Sequence, residues 1–290
     1  MIPAWFEYVR ASSVDEALAL LTEHGDEAKL LAGGHSLLPL MRLRLATPAV
    51  LVDLGALGEL SYVRDGGDEL AIGALTTHHR VASDPLVAGE APVVAHVAGQ
   101  IGDPQVRHRG TIGGSLAHGD AASDLPAVLL ALGGSVVARG PSGDRVIPVG
   151  ELYVGFLETA LRPDEVLVEV RVPKTAGGWG FEKLTKRAQD WAIVAAVAAR
   201  RRSDGVMGVG LVNMATVPVR AAGVEGALAA GASPAEAGER ADEGTEPPGD
   251  LNAGPEYRRH LARVLTRRAL ERALAPPDTP PVAARPWSRR

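Results

Sequence analysis

Apolar and polar residues alternate with period two over Val166-Leu167-Val168-Glu169-Val170-Arg171-Val172, the pattern of a strand with one buried face. Gly180 to Leu184 and Val206 to Ala215 read likewise, with Trp191 to Arg202 an apolar segment between them. Upstream the texture is mixed. Ser13-Val14-Asp15-Glu16 has the form of a capping box and opens the run Val14 to His24, and Gly25 supplies a stop, so the spacing predicts a helix. Short strands are expected at Ala28 to Ala32, Ala49 to Leu54, Glu69 to Leu75 and Ser135 to Arg139. Helical spacing runs over 77–100, broken at Pro85 and Pro92, and a short apolar helix is expected from Leu125 to Leu132. Glu256 to Ala275 predicts a long helix with six arginines. The stretch 231–254 reads as loops, and the Pro-rich tail 276–290 as disordered. The pattern breaks over Pro173-Lys174-Thr175-Ala176-Gly177-Gly178, which suggests two parts, 1–175 and 176–275.

Two loops of small residues punctuate the first part. Ala32-Gly33-Gly34-His35-Ser36 follows a predicted strand, and Thr111-Ile112-Gly113-Gly114-Ser115 stands about 80 positions later. Successive N–H groups in such turns form an anion nest, and the hydroxyls add donors. Each loop alone is equally well a tight turn. Two in one domain suit a ligand with two adjacent phosphates, which favours a dinucleotide. The common phosphate motifs are absent: no G-x-x-x-x-G-K-[ST] occurs, and Gly208-Val209-Gly210 lacks the third glycine of G-x-G-x-x-G.

Composition narrows the chemistry. The 290 residues are 46% hydrophobic and 22% charged, in proportion for a packed globular core. There is no cysteine, which excludes disulfides, thiol nucleophiles and thiolate-held iron–sulfur clusters in this chain. A net charge of −5 argues against nucleic acid as partner. No apolar run reaches the roughly 20 residues of a membrane span. Residues 1–7 lack a signal-peptide pattern, so a cytoplasmic protein is expected. The histidines show no metal spacing, and no metal site is expected. His78-His79 reads as a surface pair at a polar helix start, while His35 and His118 read as structural. The arginine-rich helix reads as a solvated face whose late cations suit its dipole, with docking of an acidic partner as the alternative.

Leu31-Ala32-Gly33-Gly34-His35-Ser36-Leu37-Leu38-Pro39-Leu40-Met41 and Arg109-Gly110-Thr111-Ile112-Gly113-Gly114-Ser115-Leu116-Ala117-His118 together resemble the two FAD loops of the medium subunits of molybdenum hydroxylases. This is the family of the carbon monoxide dehydrogenase flavoprotein and its xanthine dehydrogenase relatives. The similarity continues through Asp124-Leu125-Pro126-Ala127, Phe181-Glu182-Lys183-Leu184, Asp190-Trp191-Ala192-Ile193-Val194 and Val217-Pro218-Val219-Arg220-Ala221, to Arg267-Arg268-Ala269-Leu270.

The resemblance implies an α+β fold: a PCMH-type FAD-binding domain of two α/β subdomains (about 1–55 and 56–175) and a C-terminal domain of antiparallel sheet and helices (176–275). It implies that Ala32 to Ser36 (Ala32, Gly33, Gly34, His35, Ser36) and Thr111 to Ser115 (Thr111, Ile112, Gly113, Gly114, Ser115) hold the pyrophosphate through N–H groups and hydroxyls. Asp124 would contact the ribityl or adenosine portion, Ile101 and Gly102 would line the cofactor, and Leu167 would give an apolar contact. Lys183 would lie near the flavin ring and Trp191 would cover it. The sequence departs from the family pattern at Asp103, His108, Ala121 and Trp191, around the flavin's surroundings.

The function implied is that of an electron-transfer oxidoreductase subunit. Molybdopterin would sit in a large partner subunit and two 2Fe-2S clusters in a small one, in a heterotrimer doubled to a hexamer. FAD would deliver electrons to quinone, NAD or oxygen, with membrane contact only peripheral, through quinone. Two alternatives stand beside it. A self-sufficient flavin oxidase or dehydrogenase would need a catalytic pair, and none is evident beside Lys183. A non-catalytic nucleotide-binding or assembly subunit would keep the fold, and the intact loops and retained Lys183 argue against loss of the cofactor.

Overall fold

The computed structural model describes residues 2–275, and the tail expected over 276–290 lies outside the described residues. Among the described residues three larger sheets and a two-stranded ribbon (Tyr153–Gly155 with Glu158–Thr159) organise the chain. The first is parallel, with Val50–Asp53 paired between Glu7–Arg10 and Ala28–Leu31. The helix Val14–His24 covers it, capped by Ser13, whose hydroxyl accepts from the Glu16 N–H, and ended by Gly25. Val14, Ala17, Leu18 and Leu21 form its buried stripe, at the spacing of one helical face.

The second sheet is antiparallel, in the order Val63–Asp65, Glu69–Gly73, Val166–Pro173, Ser135–Gly140 and Gly143–Pro148. One of its faces shares a core with the first sheet through Val137, Val166 and Val168. The segment 77–100 breaks at its prolines into helices His78–Ser83, Pro85–Glu90 and Pro92–Gly99, as the sequence predicts.

The third sheet is also antiparallel, with Thr175–Leu184, Val194–Arg201, Met207–Val212 and Val219–Arg220 in that order. Its strand Val194–Arg201 is apolar on both faces because both are covered: Ala195, Val197 and Ala199 join the core under the helix Asp124–Leu132, while Val194, Ala196 and Ala198 face the helices Ala222–Ala229 and Pro255–Ala273. Glycines permit close approach on both sides. A Cβ on Gly208 or Gly210 would stand 2.7 or 2.9 Å from the carbonyl carbon of Ala131 or Ala127, and one on Gly178 or Gly180 would stand 2.8 Å from that of Ala273 or Ala269. Gly208-Val209-Gly210 is therefore a packing device. The expected loops of 231–254 contain one short helix, Pro234–Gly238, with a Ser233–Glu236 capping box. Among the described residues no helix is long and apolar enough to cross a membrane.

Candidate cofactor site

The strand Ala28–Leu31 delivers the first glycine loop to the carboxyl end of the parallel sheet, where open α/β sheets hold ligands. Gly34 has φ +76°, a left-handed conformation that glycine adopts without strain. Gly33 lies flat on the second loop, since a Cβ there would stand 2.8 Å from the Gly110 Cα. Among the described residues, the N–H groups of Gly33, Gly34, His35 and Ser36 donate to no protein acceptor. His35 Nδ1 lies 3.1 Å from the Gly33 carbonyl and donates to it. The Ser36 hydroxyl caps nothing on the helix Leu37–Leu43. Four uncommitted amides on one turn make an anion nest.

The second loop is built differently. Thr111 caps the helix Ile112–Ala117, its hydroxyl accepting from Gly114 N–H at 3.1 Å. Ile112 N–H donates to Thr76, Gly113 N–H to Ala74 and Ser115 N–H to the Thr111 carbonyl. The amides of residues 112–115 are thus committed within the protein. The second loop presents the Thr111 N–H and the hydroxyls of Thr111 and Ser115, and it braces the first.

Asp124, the first residue of its helix, is buried, and its Oδ2 accepts from Lys183 Nζ at 2.6 Å. Its Oδ1 is also buried and has no partner. Burial pushes the carboxyl up from its ordinary pKa, and the adjacent Lys183 ammonium opposes that shift. Lys183 lies on the strand Thr175–Leu184, so the pair joins the two parts of the chain. A cleft of about 280 Å³ opens beside it, lined by Gly99, Gln100, Gly102, Arg107, Lys183 and Thr185. Arg107 shapes its wall by donating to the carbonyls of Ile101 and Gly102 at 3.0 and 3.1 Å. Leu167 is in the core, where Ile101 packs against the same cluster. Trp191 is 57% exposed on the loop after Leu184, the loop whose Thr185 lines the cleft.

Two histidine and arginine readings need correction. His79 is exposed and stacks on His108, but His78 is only 4% exposed. It packs on Gly110, and its backbone N–H donates to the Gly110 carbonyl. Burial lowers its pKa to about 4, helped by His35 and Arg107, so it is neutral. The legible signal was the three-residue step from His78 to Val81, which puts both on one helical face. Arg258 is completely buried within the helix that read as solvated; it donates to the Ile193 carbonyl and, at 2.8 Å, to Asp250. Arg267, Arg268 and Arg272 are exposed as expected. Among the described residues no cluster of His, Cys, Asp or Glu is assembled for a metal ion.

The arrangement fits an FAD. The four free amides suit a pyrophosphate, and the buried Asp124 Oδ1, without a partner, can accept a hydrogen bond from a hydroxyl such as those of a ribityl chain. Residues 4–175 match the family described as FAD binding domain in molybdopterin dehydrogenase, and residues 179–273 match the CO dehydrogenase flavoprotein C-terminal domain. The chain is 40% identical to the carbon monoxide dehydrogenase medium chain of Hydrogenophaga pseudoflava, over 95% of this chain and 99% of that one. It is 36% identical to the 6-hydroxypseudooxynicotine dehydrogenase complex subunit alpha of Paenarthrobacter nicotinovorans, over 94% and 96%. The solved carbon monoxide dehydrogenase from Hydrogenophaga pseudoflava superposes with a TM-score of 0.88, covering 94% of this chain and 98% of that one at 40% identity. With the two family models matching in order over nearly the whole described chain, and with relatives of this identity and coverage, this chain belongs to the family of FAD-binding medium subunits of molybdenum hydroxylases, an oxidoreductase family of the carbon monoxide dehydrogenase type.

Proposed function

We propose that this chain carries electrons from 2Fe-2S clusters in a small partner subunit to an external acceptor (quinone, NAD or oxygen), while a large partner holds the molybdopterin. The observation that carries the reading is the run of four amides, Gly33 to Ser36, that donate to no protein acceptor among the described residues; the Asp124 oxygen without a donor supports it separately. FAD, when bound, supplies the redox chemistry, exchanging electrons with one-electron and two-electron carriers. The protein's part is binding, orientation and charge. Gly33 to Ser36 offer amides to the pyrophosphate, and the hydroxyls of Thr111 and Ser115 add donors. Asp124 Oδ1 accepts from a sugar or ribityl hydroxyl. Lys183 and Arg107 bring two cations to the cleft, one of them balanced by Asp124, so its lining carries an excess of positive charge. Gly102 lines the cleft, Ile101 packs behind it against the core that holds Leu167, and Trp191 is the exposed loop residue that would cover the ring.

The need for partners follows from composition: without cysteine, the chain carries no thiolate-held cluster of its own. Relatives named as a medium chain and as a complex subunit support the same reading. Because those relatives are named for carbon monoxide and for 6-hydroxypseudooxynicotine, the substrate is set outside this chain. Gentle purification from the native host tests the proposal. Flavin bands over iron–sulfur absorbance, released FAD and two co-purifying chains are expected. A lone yellow chain that turns over a substrate contradicts it in favour of a self-sufficient flavoenzyme, and a colourless chain that refuses FAD contradicts the cofactor role itself.

A further inference from the structure

A closed ring of contacts surrounds the Asp124–Lys183 pair, and Asn213 is its keystone. Lys183 is followed by Leu184, whose carbonyl accepts from Ile193 N–H at 2.8 Å, closing the ends of the loop 185–192. At that loop's exit the Asn213 side-chain amide donates to the carbonyls of Ala192 at 2.9 Å and Ile193 at 3.3 Å. Arg258 donates to the Ile193 carbonyl as well. The backbone N–H of Asn213 donates to Ala121 at 2.8 Å. Ala121 belongs to the turn closed by Ser123 N–H to the Asp120 carbonyl, and that turn leads straight into Asp124. The ring therefore runs Asp124, Lys183, Leu184, Ile193, Asn213, Ala121 and back to Asp124, crossing twice between the two parts of the chain.

Asn213 has φ +61°, left-handed backbone that side chains other than glycine seldom adopt and that asparagine tolerates best. Its position has a packing logic. The helix Asp124–Leu132 rests Ala131 on Gly208 and Ala127 on Gly210, one helical turn apart. Asn213, just past the end of the same strand, reaches the turn before the helix through its backbone N–H to Ala121. The glycines fix the body of the helix, and Asn213 fixes the end that carries Asp124. An amide is the suitable group, because its two hydrogens serve two carbonyls at once. A carboxylate of the same shape would oppose both of them.

We infer that Asn213 is a positioning residue: it holds the loop exit and the Asp124 turn in one register, and so sets how Lys183 and Asp124 meet beside the cofactor. The inference rests on the flavin reading above. Its test is a double-variant cycle on the full chain with FAD titration and the bound flavin's midpoint potential as readouts. Asn213→Gly keeps the left-handed backbone and removes the donor; Lys183→Met removes the cation. Each single change is expected to weaken FAD binding about tenfold, the scale of one charge-assisted hydrogen bond, and to move the potential to more negative values. In the Lys183→Met background, Asn213→Gly is expected to add less than about twofold and to leave the potential where Lys183→Met put it, since coupled residues are not additive. Asn213→Asp is the second variant should the glycine form fail to fold, with the same pattern expected. Additive effects, or an unchanged potential in a chain that binds FAD, overturn the inference alone. A wild-type chain that takes up no FAD overturns the functional reading and this inference together.

Discussion

The missing side chain of Gly33 leaves room for Arg109: a Cβ on Gly33 would collide with the Arg109 carbonyl oxygen. The two glycine loops are thus a single unit, joined by backbone contact, in which one loop offers its amides and the other supports it. That contact decides what each loop can do. The Ile112 to Ser115 amides are committed to protein acceptors, whereas among the described residues those of Gly33 to Ser36 have none.

Alanine at Gly33 forces the loops apart. Gly33→Ala is expected to cost about 1–3 kcal/mol of stability by overpacking. Gly89 is the control, in the helix Pro85–Glu90 with open space where its Cβ would lie. Gly89→Ala is expected to stabilise by about 0.4–1 kcal/mol through the unfolded chain. Urea unfolding of both variants checks the contrast.

The same contact logic governs the seam between the sheet Thr175–Arg220 and the helix Asp124–Leu132. Gly208→Ala and Gly210→Ala are each expected to destabilise by about 1–3 kcal/mol, because backbone carbonyls, which cannot swing aside, occupy the space. A loss in both variants, seen by thermal unfolding, is the expected result.

His78 should give the chain an acid-sensitive step. Its folded pKa is lowered to about 4 from 6.5 by burial. Between those values the unfolded chain binds the proton and the folded chain does not, so stability falls as pH drops from 6.5 towards 4. The full loss is about 3 kcal/mol at 1.36 kcal/mol per pH unit. His78→Phe is expected to flatten that slope, measured by urea unfolding at a series of pH values.

Removing the cation from the buried pair should act in the opposite direction with pH. Lys183→Met leaves the Asp124 carboxylate unpaired, at a cost of about 3–5 kcal/mol near neutral pH. The Asp124 pKa is already raised by burial, so the folded state takes up the proton first. The deficit of the variant is therefore expected to shrink as pH falls through that raised value. Unfolding at pH 7.5 and pH 5 compares the two.

The parts of this molecule legible in the sequence are those with short-range signals. Ser13 and Gly25 mark their helix ends, Pro85 and Pro92 divide the helices, and the alternation at 166–172 marks a strand. Both glycine loops, Asp124 and Lys183 were visible through the family resemblance, and the structure brings Asp124 and Lys183 into contact although they lie 59 positions apart. What was not legible depends on partners distant in sequence. Nothing near Arg258 announces that Ile193, 65 residues earlier, supplies its acceptor. Asn213 follows an apolar strand where a polar turn residue is ordinary, and its role appears only once Ala121 and Ala192 meet it. The committed amides of Ile112 and Gly113 were hidden for the same reason: their acceptors, Thr76 and Ala74, lie on another segment.

The central claim is that the Gly33–Ser36 nest and Asp124 hold an FAD, and titration of FAD into the cofactor-free chain, followed by flavin fluorescence, tests it most directly. Saturable binding of one FAD per chain is predicted, weakened at least tenfold in Gly33→Ala and in Asp124→Ala. No saturable binding, or binding indifferent to both changes, would contradict the account.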